Sequence, residues 1–235
     1  MFFDGKRPRP NGSSKTKALD FAELRRDMVE RQIRDRGIRD SRVLEAMRTV
    51  PRHEFVPLDQ RALAYLDQPL PIGEGQTISQ PFMVAAMAEA MELTGNERAL
   101  EVGTGCGYQA AVLALLARDV YTIEFQPALA DAARERLARL GYANVHVRVG
   151  DGTLGWPEAA PYDAILVTAG APSIPPPLLE QLAEGGRLVI PLGTPELQEL
   201  RCVRKHEGRV TQEVLYDCRF VPLLGRYGWR DPLAR

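Results

Sequence analysis

The chain has 235 residues, 45% of them hydrophobic and 26% charged, with a formal net charge of -1. That is enough apolar material for one globular domain with a full core, and so small a charge offers no general attraction to nucleic acid or acidic lipid. No stretch reaches the roughly 18 uninterrupted apolar residues of a membrane-crossing helix. Cys106, Cys202 and Cys218 are odd in number and form no CxxC pair, and His53, His146 and His206 are scattered. Neither a disulfide framework nor a metal site is predicted, and the thiols are expected to be reduced. The opening "MFFDGKRPRP" has charges where a signal peptide needs its apolar run, so a cytoplasmic location is expected.

Residues 1 to 20 mix Lys, Arg, Pro, Gly and Ser without apolar periodicity and read as a mobile, mildly basic tail. From Phe21 to Val50, apolar residues recur at helical spacing (Leu24, Met28, Ile33; then Val43, Leu44, Met47), predicting two amphipathic helices broken near Gly37. "VPRHEFVP" and "DQPLPIGEGQ" supply proline and glycine punctuation and read as loop. An apolar helix is then expected to open near Ser79, with Ser79 placed as its N-cap and Pro81 in its first turn.

From Ala99 the rhythm changes. "ALEV", "VYTIE", "VHVRV", "DAILVT" and "RLVIP" alternate with helical segments such as "YQAAVLALLA" and "PALADAARERLARL", predicting a mainly parallel sheet covered on both faces. "ELRCVRK" and "RVTQEVLY" follow across a turn at Glu207 and Gly208, predicting a terminal antiparallel hairpin. The fold class is α/β: a doubly wound, mainly parallel seven-stranded sheet with N-terminal helices and a C-terminal hairpin.

"ALEVGTGCGY" is a strand that enters a glycine turn before a helix, and glycines 103, 105 and 107 let a ligand approach the main chain closely. About twenty residues on, Glu124 ends the next strand, where a carboxylate accepts both hydroxyls of a ribose. The NAD fingerprint wants its third glycine at position 108, where this chain has Tyr108, so Gly107 gives a different spacing. Glu101 before the first glycine suits a cofactor with a cationic amino acid end, and Asp151 with Gly152 in "VGDG" places a carboxylate where an adenine amino group can be bound. These features together point to S-adenosylmethionine and a class I methyltransferase. The stretch "VTAGAPSIPPPLL" has no aromatic residue after its prolines, unlike methyltransferases that act on the amino groups of bases, and Pro175 to Pro177 read as a helix start.

"GEGQTISQPFMVAAM", "LEVGTGCGYQAAVLA", "VGDG", "ILVTAGAP", "GGRLVIPLG" and "RFVPLLG" occur in the order found in the protein-L-isoaspartate O-methyltransferase family, and "VPRHEFVP" fits too. The resemblance runs from Phe21 to Trp229. It implies a single domain over residues 21–235, divided into a helical, substrate-side segment (21–98), a cofactor-binding core with its hairpin (99–216) and a second substrate-side segment (217–235). It implies that Ser79 receives the free α-carboxyl of an L-isoaspartyl residue, with Val221 beside the substrate backbone. It assigns S-adenosylmethionine to Thr77, Ile78, Glu101, Gly103, Thr104, Gly105, Gly107, Glu124, Asp151 and Gly152. It also implies a repair enzyme whose ester product closes to a succinimide, and whose partners are isoaspartyl-containing proteins, with no nucleic acid, membrane or metal. A monomer is the expected state.

Three other readings stay open on sequence: a different carboxyl or small-molecule O-methyltransferase, a NAD(P)-binding oxidoreductase disfavoured by Gly107, and a cofactor-binding module without activity. Asn11-Gly12 is a pair prone to succinimide formation, which would make the tail a substrate of its own enzyme.

Overall fold

The structure, a computed structural model, describes residues 19–230. The expected tail, with Asn11-Gly12, lies outside the described residues apart from Leu19 and Asp20. Asp20 caps α1 (Phe21–Asp27), its carboxylate accepting from the amides of Ala22 at 3.0 Å and Glu23 at 3.1 Å. The helix continues as a π turn (Met28–Ile33) and a 3₁₀ turn (Arg34–Arg36), and ends at Gly37, whose φ of 110° only glycine adopts freely. Asp40 caps α2 (Ser41–Thr49). The break near Gly37 and the buried faces, Met28 and Ile33 then Val43, Leu44 and Met47, are those the spacing predicts.

The punctuated segment that follows is more ordered than a loop. Two 3₁₀ turns (Arg52–Phe55 and Leu58–Leu63) lead into a hairpin of β1 (Leu70–Gly73) and β2 (Gln76–Ile78). Glu74 and Gly75, with φ of 50° and 69°, make its turn. Strands of four and three residues are too short to leave a periodic signal. Helix α3 (Pro81–Ala90) then opens with Gln80, not Ser79, at the N-cap position.

The main sheet contains β3 (Arg98–Val102), β4 (Asp119–Glu124), β5 (Val145–Val149), β6 (Tyr162–Val167), β7 (Leu182–Gly193), β8 (Gln198–His206) and β9 (Arg209–Cys218). Helices α4 (Tyr108–Ala114), α5 (Pro127–Arg139) and α6 (Pro176–Gln181) connect the parallel strands. The spatial order is β5-β4-β3-β6-β7-β8-β9, parallel through β7 and antiparallel at both pairings of β8. The β8–β9 turn is Glu207-Gly208, with φ of 50° and 70°, as its sequence indicates.

Both faces of the sheet are buried. Ala164, Leu166 and Val189 join one core cluster with α3 and α4, while Ile165, Val167, Leu188 and Ile190 join the other with Leu178 of α6. This alternation explains why the strands read as unbroken apolar runs. The chain winds from β3 to one edge and returns to β6 on the other side of β3. The C-terminal ends of β3 and β6 therefore flank the switch point, where an open α/β sheet leaves a crevice for a ligand.

Candidate active site

The crevice is built first by the glycine turn after β3. Gly103, Gly105 and Gly107 have φ of 99°, 53° and 88°, and Gly107 caps α4. At Gly103 a Cβ would stand 2.4 Å from Oγ1 of Thr168, which donates to the carbonyls of Val102 at 3.0 Å and Gly103 at 2.7 Å. Any side chain there would push the turn off β6. Thr168 follows β6 in "ILVTAGAP" and was not singled out from sequence, because its role is a hydrogen bond to a distant strand end.

Glu101 is wholly buried on β3. Its Oε2 accepts from the Thr122 hydroxyl at 2.5 Å, and Thr122 meets the Thr104 hydroxyl at 2.7 Å, while Oε1 has no partner among the described residues. Burial pushes its carboxyl up to about 8, the Thr122 hydrogen bond opposing this and the nearby Glu124 adding to it. Glu124, at the end of β4, accepts from the amides of Gly105 at 2.7 Å and Gln126 at 3.0 Å. One lone pair on each oxygen remains for a diol. Glu124 lines the cleft with Gly103, Gly105, Gly152, Thr168 and Ala169.

Asp151 is placed differently from the rest. Its carboxylate accepts from the amide (2.9 Å) and hydroxyl (2.6 Å) of Thr153 and from the amide of Arg226 (2.8 Å), tying the end of β5 to the C-terminal segment, and it is not among the residues lining the cleft. Gly152 does line it, packed so closely that a Cβ would stand 2.4 Å from Cγ1 of Val102.

A second cavity, of about 640 Å³, adjoins the first and is walled by Thr77, Ser79, Met83, Thr168 and the 217–222 segment. Thr77, Thr168, Val221 and Pro222 line both. Ser79 also faces a small cavity shared with Ile78, Thr104 and Tyr108 beside the glycine turn. Ser79 does not cap α3. Pro81 has no amide hydrogen to offer, and the Phe82 amide goes to Asp67 at 3.3 Å, so the cap comes from another segment. The Ser79 hydroxyl has no hydrogen bond among the described residues. Val221 accepts from Gly170 at 2.8 Å through its carbonyl, and Gln198, 1% exposed, accepts from the Phe220 amide at 2.8 Å and donates to the Thr194 carbonyl.

Among the described residues, no three His, Cys, Asp or Glu side chains gather as a metal site, and no helix is long and apolar enough to cross a membrane. All three cysteines are free and buried. The residues at the switch point fit S-adenosylmethionine. A buried acid with an orphaned oxygen suits an ammonium group, Glu124 keeps room for a ribose diol, and Gly103, Gly105 and Gly152 present bare backbone to the cleft. This doubly wound sheet with a terminal hairpin and such a crevice is that of a class I S-adenosylmethionine-dependent methyltransferase.

The family model described as "Protein-L-isoaspartate(D-aspartate) O-methyltransferase (PCMT)" matches residues 23–228. A protein-L-isoaspartate O-methyltransferase of Methanoculleus marisnigri is 57% identical over 210 residues, covering 89% of this chain and 96% of its own length. One of Syntrophobacter fumaroxidans is 56% identical over 211 residues, covering 90% and 99%. Among solved structures, a protein-L-isoaspartate O-methyltransferase matches with TM-score 0.78 at 30% identity, over 86% of this chain and 67% of its own. A Plasmodium falciparum chain described as a beta-aspartate methyltransferase, in complex with S-adenosyl-L-homocysteine, matches with TM-score 0.74 at 27% identity, over 85% and 98%. The chain belongs to the protein-L-isoaspartate O-methyltransferase family, and is an S-adenosylmethionine-dependent protein carboxyl methyltransferase.

Proposed function

We propose that the chain methylates the free α-carboxylate of L-isoaspartyl residues in damaged proteins, and that Ser79 holds this carboxylate where the two cavities meet. The observation that carries the reading is Ser79, which lines both the groove and the small cavity and whose hydroxyl is not engaged in capping.

S-adenosylmethionine, bound at Glu101, the glycine turn and Glu124, supplies an electrophilic methyl group on a cationic sulfur. A carboxylate with a reference pKa of roughly 3.5 to 4 is already ionised at neutral pH, so the chain has no need of a general base. Ser79 positions the nucleophile by donating one hydrogen bond. A stronger set of donors would stabilise the charge of the bound substrate, which is lost as the bond forms, and would slow transfer. Thr77, Thr168 and Val221 close the seam between the cavities, and the Val221 amide, without a partner among the described residues, is available to an extended peptide. Thr77, Ile78, Gly103, Thr104, Gly105, Gly107 and Gly152 shape the cofactor side, and Asp151 acts there through the loop it ties down. In the released methyl ester the substrate's next amide nitrogen attacks the ester carbonyl and methanol leaves, giving a succinimide whose hydrolysis returns some normal aspartate.

The same reading makes the chain a monomer in the cytoplasm that binds neither nucleic acid nor membranes, and its three free, buried thiols are consistent with a reducing compartment. The test is methyl transfer from labelled S-adenosylmethionine to an isoaspartyl peptide and to the same peptide with normal aspartate. Label is expected on the first alone, with Ser79→Ala lowering kcat about 10-fold, close to the ~1.5 kcal/mol lower bound for a hydrogen bond to a charged group. Equal labelling of both peptides would overturn the isoaspartyl substrate, and an unaffected mutant would overturn the assignment of Ser79.

A further inference from the structure

Arg52 is the largest fully buried side chain of the described residues. Its Nε donates to the carbonyl of Ala64 and its Nη2 to the carbonyl of Ser79, each at 2.7 Å. The centroid of the Tyr108 ring lies 4.8 Å from the guanidinium carbon, and Nη1 has no hydrogen-bond partner among the described residues. No carboxylate among the described residues comes within ion-pair distance of it. An arginine does not lose its proton at neutral pH, so a full positive charge is held in the interior with no counter-ion. Burying a charge unpaired carries a heavy penalty, and an apolar side chain of similar volume would serve packing better. The ion has no counter-charge among the described residues, yet one of its two hydrogen bonds fixes the peptide of Ser79.

We infer that Arg52 is a positioning residue for methyl transfer: it locks the Ser79 peptide so that the hydroxyl faces the seam, and its charge attracts the carboxylate that Ser79 receives. This rests on the reading of Ser79 above. In an interior shielded from water, a cation one peptide unit away favours an anion at the site. It acts in the opposite sense on the cationic cofactor. A residue that only supported packing would affect both ligands alike.

The experiment measures kcat and KM for an isoaspartyl peptide, and calorimetric affinity for S-adenosylmethionine, in Arg52→Lys, Arg52→Gln, Ser79→Ala and the double variant Ser79→Ala with Arg52→Lys. Lysine keeps the charge but cannot bridge both carbonyls, so KM should stay within about 3-fold of wild type while kcat falls about 10-fold. Glutamine removes the charge, so KM should rise about 10-fold with cofactor affinity equal or tighter. Wild-type kinetics in both single variants, or parallel loss of affinity for both ligands, would overturn the inference. If Arg52→Gln fails to fold, the double variant decides. Acting through Ser79, Arg52→Lys should change kcat less than about 2-fold in the Ser79→Ala background, and a full additive loss there rejects the coupling. Ser79→Ala alone reports on the underlying reading: no effect of that change would reject the role of Ser79 itself.

Discussion

The proposed cofactor side of the cleft comes largely from one continuous stretch, Glu101 through Glu124, whereas the proposed substrate side is assembled from β2 and the start of α3, the end of β9 and the segment after it. On the first side, positive φ angles and the close approach of Gly103 to Thr168 set the geometry. On the second, single hydrogen bonds between distant segments do so: Arg52 to Ser79, Asp67 to Phe82, Gln198 to Phe220. The first kind of construction fails abruptly, because a backbone that cannot relax transmits its error to the strands it joins. The second is expected to yield by degrees, with the loss falling first on the proposed substrate side.

The largest expected effect that would break this contrast is at Gly103. Gly103→Ala must relieve both an unfavourable φ and a contact of 2.4 Å with Thr168. A loss of about 2 to 3 kcal/mol of stability is expected, with cofactor affinity down about 100-fold. Thermal unfolding and titration with S-adenosylhomocysteine measure both, and a fully folded variant with normal affinity would contradict the account of the turn.

Glu101 sharpens the comparison through pH. Its folded-state pKa, about 8, lies above its ordinary value of 4.5, so between these limits the folded chain holds a proton that the unfolded chain releases. This contribution to stability is fully present below pH 4.5 and is lost as pH rises toward 8. Binding an ammonium group recruits the ionised form, so affinity for S-adenosylhomocysteine should tighten with rising pH, by up to about 10-fold per unit. Glu101→Gln should flatten both dependences relative to wild type. Calorimetry from pH 6 to 8 would show proton release on binding, and an equal slope in the variant would rule out Glu101 as its source.

The smallest effect is expected on the substrate side. Gln198→Ala frees the Phe220 amide and the Thr194 carbonyl, which should raise KM for an isoaspartyl peptide about 5-fold, the worth of roughly 1 kcal/mol. Cofactor affinity should not change. If it falls together with substrate affinity, the two sides are mechanically one.

The same division separates what was legible in the residues from what was not. The glycine turn, Glu124 at the end of β4, the apolar strands and the Glu207-Gly208 turn could be read directly, because each depends on neighbours within a few positions. The cap of α3 could not. Ser79 and Pro81 have the residue types and spacing of a capped start, but the acceptor that binds the Phe82 amide is Asp67, brought there by the β1–β2 hairpin. Asp151 followed β5 as expected, yet its oxygens meet Thr153 and Arg226, a contact that exists only once the C-terminal segment folds back. Thr168 and Gln198 carried no signal of their own, since a threonine or glutamine in sequence does not say which carbonyl it will find.

By itself, the sequence determined the order of elements, the two-faced burial of the parallel strands, the nucleotide-type turn and the likeness to a methyltransferase family. Those follow from local backbone preference and from the periodicity of apolar residues, which act within a strand or helix. The tertiary structure alone decided that Ser79 is released from capping, that an unneutralised Arg52 lies behind it, and that Thr77, Thr168 and Val221 meet at one seam. Each of these depends on hydrogen bonds and cavities between segments far apart in the chain, formed only when the sheet has brought its strand ends together.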